Sequence, residues 1–152
     1  MSERAGPILI NGMHGYGDMI GVSIDSLQRK PDVSKVEKWS PHLVYIINIM
    51  DEGLHKVGVT RSTTGRLSRL ATGTRRVVEV IEVANRPVAQ LLEATVLVLR
   101  GSKRERATTI RHLRGVTECW REDGDVPSLA KLERSLYELW EAPPNWHLSV
   151  RS

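Results

Sequence analysis

The sequence predicts one domain of the α/β class, of the α+β kind, and three observations carry the prediction. Two β-type runs, residues 43–50 and 54–60, flank the turn-like Asp51-Glu52-Gly53. A third run, RVVEVIEVA at 76–84, alternates apolar side chains with Glu79 and Glu82. Elsewhere the apolar period becomes helical, most plainly over 88–100, which is apolar nearly all round.

Composition bounds what such a chain can do. With 152 residues, 40% of them hydrophobic, there is enough material for one core. Phe is absent and aromatics make up 5%, so aliphatic side chains must build most of it. A net charge of +4 and a pI near 9.5 point to a polyanionic partner such as nucleic acid. The single cysteine, Cys119, excludes an internal disulfide and a multi-cysteine zinc site. The largely apolar stretch 91–99 has about half the residues a membrane-crossing helix needs. A soluble, cytoplasmic protein with no membrane partner is the expectation.

Residues 1–40 read as an N-terminal extension. The glycine-rich stretch 11–18 lacks the Gly-Lys-Ser/Thr ending of a phosphate loop, and His14 and Asp18 make no metal signature. It is expected to be a turn-rich lead-in, followed by a short helix at 23–28 that stops before Pro31.

In the hairpin, Tyr45 and Ile47 share one face of the first strand, and Lys56 and Gly58 share one face of the second. His55, Val57 and Val59 take the other. Thr63 or Thr64 then caps a short helix over 65–72, with Gly73 at its C′ position. Arg66 falls in its first turn and Arg69 one turn later on the same side, beside N–H groups that suit a phosphate.

Asn85-Arg86-Pro87 opens the apolar helix at 88–100, whose polar residues Gln90, Glu93 and Arg100 form one narrow stripe. A carboxylate on a largely buried helix needs a cation, a donor or a metal. Lys103, Arg104, Arg106, Arg111 and Arg114 cluster around a weak helical pattern at 107–113 and suit backbone phosphates. A short edge strand is expected within 116–121. Ser128 caps a last helix with Leu129, Leu132, Leu136 and Leu139 or Trp140 on one stripe, for packing on the core or for a homodimer.

Taken together, residues 44 to about 121 resemble the GIY-YIG nuclease superfamily. The likeness is to its phage and bacterial branch with a "YKIG-V-T" second motif. Val44-Tyr45-Ile46 stands at the first motif and Lys56-Val57-Gly58 at the second, followed by Val59-Thr60. Arg66 matches the family's arginine, Glu93 its metal-binding glutamate, and Glu118-Cys119-Trp120 the branch's Glu-Trp-Phe ending. Lys56 takes the place of the second tyrosine, His55 that of an aromatic residue, and Leu70 that of a histidine some members carry.

The resemblance implies a central three-stranded antiparallel sheet flanked by helices, and a metal-dependent endonuclease acting on DNA. It divides the chain into an extension at 1–40, a nuclease-like domain at 41–122, and a C-terminal helix and tail at 123–152. Tyr45, Lys56, Arg66 and Glu93 are the candidate catalytic residues, with Gly58 structural and Glu93 holding Mg²⁺ or Mn²⁺. Arg69, Lys103, Arg104, Arg106 and Arg111 are the candidate nucleic-acid contacts.

The residue types suit that chemistry. One carboxylate and several waters satisfy a hard cation, and arginine stabilises charge on non-bridging oxygens. A tyrosine, with an ordinary pKa near 10, needs a neighbouring cation such as Lys56 or the metal to orient or deprotonate water. The alternatives are a non-catalytic DNA- or RNA-binding module and a phage structural protein that keeps the fold.

Overall fold

The structure is a computed structural model of the chain. It describes residues 14–50, 53–62, 73, 75–100, 104–105, 119–121, 126–141 and 143–150. The fold is built on two strands whose β-branched residues face one another. Strand β1, His42–Ile49, pairs antiparallel with β2, Leu54–Arg61, so that Val44 lies opposite Val59, Tyr45 opposite Gly58 and Ile47 opposite Lys56. The connection closes with Gly53 at φ 64°, a left-handed conformation that favours glycine.

Strand β3, Arg75–Val83, pairs antiparallel with the other edge of β1. A bulge between Ile46 and Ile47 shifts the register, with Ile46 opposite Glu79 and Ile47 opposite Val77. The sheet does not end there. Strands β4, Arg104–Glu105, and β5, Cys119–Arg121, extend it to five strands in the order β3-β1-β2-β5-β4.

This corrects the three-stranded expectation, and it also moves β5 from the edge to a position between β2 and β4. The reason is the outer edge of β2, whose backbone groups need partners that a three-stranded sheet would not supply. Pairing of Leu54 with Arg121, His55 with Trp120 and Lys56 with Cys119 supplies them.

The three described helices gather on one face. Helix α1, His14–Gln28, packs along α2, Arg86–Leu99, and α2 packs on β1 and β2. The main core joins Ile20, Ile24 and Leu27 of α1 to α2, to Val44, Ile46 and Val57 of the sheet, and to Trp120 and Trp146. Residues 20, 24 and 27 recur at helical spacing, and each is at most 3% exposed. That burial, about 1.5–3 kcal/mol for a large aliphatic side chain, explains why the helix extends well before Ser23. The turn-rich expectation for 11–18 is thereby corrected over 14–18, which are helical despite the helix-weakening glycines 15 and 17.

Helix α2 begins where the sequence signals it. Asn85 is the N-cap, its Oδ1 accepting from Val88 N at 3.1 Å, and Pro87 sits in the first turn. Helix α3, Leu129–Leu139, is capped twice. Ser128 Oγ accepts from Lys131 N at 3.3 Å, and the Glu79 carboxylate accepts from Leu129 N (2.7 Å) and Ala130 N (3.2 Å). Leu129 and Leu136 enter the core with Trp140 half-buried beside them, while Leu139 is 63% exposed and leaves the expected stripe.

Residues 143–150 clasp the molecule. Asn145 Nδ2 donates to the carbonyls of Ser26 (3.1 Å) and Arg29 (2.5 Å) at the end of α1. Asn85 Nδ2 donates to those of Asn145 (3.0 Å) and Leu148 (2.8 Å), which ties the segment to the start of α2. Among the described residues no helix is long and apolar enough to cross a membrane.

Candidate functional site

The opposite face of the sheet carries a second, smaller cluster of Tyr45, Ile47, Ile49, Leu54 and Cys119, with Val77 against it. Strand alternation puts Tyr45, Lys56 and Gly58 there together, as the sequence predicts. Tyr45 is fully buried and Lys56 is 2% exposed. Lys56 Nζ donates to the Tyr45 hydroxyl at 3.4 Å and stands 5.2 Å from the centre of the Tyr45 ring.

Gly58 makes this contact possible. A Cβ at that position would overlap the Tyr45 hydroxyl and ring Cζ and come within 2.9 Å of Lys56 Nζ. The tyrosine side chain therefore lies across the glycine on the neighbouring strand, in space no other residue type leaves free. On the far side of Lys56, in register, is buried Cys119.

Glu93 is placed differently. It is 8% exposed and sits on α2, which packs against the sheet face bearing Val44, Ile46 and Val57. Tyr45 and Lys56 project from the other face. Among the described residues no hydrogen bond or ion pair joins Glu93 to Tyr45 or Lys56, and no three His, Cys, Asp or Glu side chains form a group for a metal ion.

Arg66, Arg69, Lys103, Arg106 and Arg111 lie outside the described residues, as do the helices expected at 65–72 and 107–113. Gly73, expected at a C′ position, has φ 62°. The backbone of Arg104 forms β4, pairing with Trp120.

Two histidines take on roles that sequence reasoning missed. His55 stacks on Trp120, with ring centres 5.7 Å apart and an interplanar angle of 20°. His42, at the start of β1, is 2% exposed, and its Nδ1–H donates to the Ser40 carbonyl at 2.7 Å. Burial holds the His42 imidazole below its ordinary pKa. The Ser40 contact works the other way, and Arg86 and Arg61 add to the lowering. Neither arrangement has a local signal, since each depends on partners brought together by the sheet and by α2.

No family model, curated protein or solved structure matches the chain.

Proposed function

We propose that the chain is a metal-dependent endonuclease-like protein that hydrolyses DNA phosphodiester bonds. The observation that carries the reading is the Tyr45–Lys56 pair. An ammonium taken out of water needs anionic or strongly dipolar partners. Among the described residues Lys56 has one hydrogen bond, to a neutral hydroxyl. Its remaining N–H donors suit a non-bridging phosphate oxygen, and the Tyr45 hydroxyl, held by Lys56, suits the orientation of an attacking water.

Arg66, from the segment that follows β2, would stabilise charge developing on the phosphate. Glu93 would hold Mg²⁺ or Mn²⁺ with water completing the shell, on the other side of the sheet from Tyr45 and Lys56. A cation bound there would supply Lewis-acid polarisation and an activated water. The buried partners of the dyad, Gly58 and Cys119, keep its geometry fixed.

A second reading, a non-catalytic nucleic-acid-binding module, is favoured by the position of α2 on the other face of the sheet and by the near-complete burial of Tyr45 and Lys56. Incubation with supercoiled and branched DNA plus Mg²⁺ or Mn²⁺ separates the two. Metal-dependent cleavage that disappears in Glu93→Ala and in Arg66→Ala supports the enzyme. Binding by the wild type with no nicking under any metal supports the module.

A further inference from the structure

The described surface concentrates positive charge at the end of the sheet where β1 begins and β2 finishes. A cleft of about 620 Å³ opens there, lined by Ser34, Lys35, Val36, Glu37, Lys38 and Arg86. Arg61 stands at its side, its Nη1 3.3 Å from Glu37 Oε1. Among the described residues Glu37 is the carboxylate that lines the cleft, and Asp32 lies near Lys35. Glu37 is engaged by Arg61, and Asp32 is turned into its own loop, accepting from Ser34 N (3.1 Å) and Ser34 Oγ (2.5 Å).

Lys35, Lys38 and Arg86 form no ion pair among the described residues. Lys38 is held in place without a carboxylate, donating to Ser26 Oγ at 3.2 Å and lying 5.4 Å from the centre of the Trp39 ring. Burial is the main cause that lowers the pKa of His42, and Arg86 and Arg61 stand close enough to add to it. The backbone offers little here, since Arg86 N is already bonded to Lys38 O at 2.9 Å and Asn85 caps the helix. Recognition would therefore fall to lysine and arginine side chains, which bind phosphate without reading bases.

Position gives the cleft its meaning. His42 pairs with Arg61 at this end of the sheet, and Tyr45 pairs with Gly58 three residues further in. His42 and Arg61 lie on the face that carries α2, so the cleft stands apart from the Tyr45–Lys56 pair on the opposite face. Ser62 N bonds to Pro41 O at 3.2 Å, which ties the end of β2 to the residue that precedes β1.

We propose that this cleft binds the phosphodiester backbone of a nucleic-acid strand. The inference rests on the nucleic-acid reading above and does not require cleavage. The test is binding of a fluorescent DNA duplex in EDTA, across a salt series, to wild type, to Lys35→Gln/Arg86→Gln and to the control Arg29→Gln. Arg29 is an exposed cation paired with Asp25 at 2.7 Å. All three proteins are first checked for equal thermal stability.

Loss of two phosphate contacts should weaken binding and make the slope of log affinity against log salt shallower by about 1.8. The control should keep the wild-type slope. A double variant that retains the wild-type slope overturns the proposal. So does a wild type that binds phosphatidylserine vesicles and not DNA. A shallower slope in a protein that never nicks DNA supports the cleft while removing the nuclease; cleavage with an unchanged slope does the reverse.

Discussion

Gly58 is the residue on which the Tyr45–Lys56 contact depends, because its missing side chain is the space the tyrosine occupies. Gly58→Ala should cost about 1–3 kcal/mol, as overpacking does in a closed interior, measured by urea denaturation. It should also weaken DNA binding, since Tyr45 must swing away from Lys56. His42 sets a pH dependence. Its folded pKa lies below the ordinary 6.5, so in the window between the two values the unfolded chain takes up a proton that the folded chain refuses. Stability should thus be present in full above 6.5 and fall as pH drops through that window; His42→Gln should flatten the fall in denaturation midpoints. Glu133, held above 4.5 by burial, runs the other way and loses stability as pH rises through its own window. At this scale the sequence was informative about sides and silent about partners. Alternation alone puts Tyr45, Lys56 and Gly58 on one face, yet nothing near residue 42 announces Arg61 and Arg86 as its neighbours.

Glu79 links two elements, since both carboxylate oxygens accept from the first N–H groups of α3 while its backbone belongs to β3. A negative charge at a helix N-terminus is worth about 0.3–1 kcal/mol on the surface and up to about 2 when partly buried. Glu79→Gln should lower stability by about 1 kcal/mol and reduce helicity in far-ultraviolet circular dichroism, with the sheet unaffected. Elements with strong local signals were legible, namely β1, β2, β3, the Asn85-capped α2 and the Ser128-capped α3. Those decided by distant packing were not. The first turns of α1 look like a glycine-rich loop until Ile20, Ile24 and Leu27 find α2. Strand β4, of two residues, carries no period that a sequence could display, whereas β5 falls within the strand expected at 116–121 and only its interior place in the sheet was hidden.

Across the whole molecule, the main core on one face and the smaller cluster on the other divide what the sequence treated as one site. Tyr45 and Lys56 belong to the second layer, and Glu93 to a helix of the first. Spacing along the chain does not encode which side of a sheet a helix covers, so the separation was not legible. Nor was the Asn145 clasp, which spans 116 residues between its side chain and the Arg29 carbonyl. Asn145→Ala should leave two carbonyls at the end of α1 without these donors and cost about 1–3 kcal/mol. In a chain of this length that corresponds to roughly 2–4 °C of midpoint per kcal/mol in thermal unfolding. Hydrogen exchange should rise first in α1.

The same clasp has a bearing on synthesis. Ribosomes add about 5–20 residues per second, so of order ten seconds pass between emergence of the α1 terminus and arrival of the asparagine that finishes it, 116 residues later. During that interval the apolar side of α1 and the start of α2 lack their last fastening. The nascent chain should therefore remain a substrate for chaperones until residues 145–150 clear the exit tunnel, and complete its fold only then.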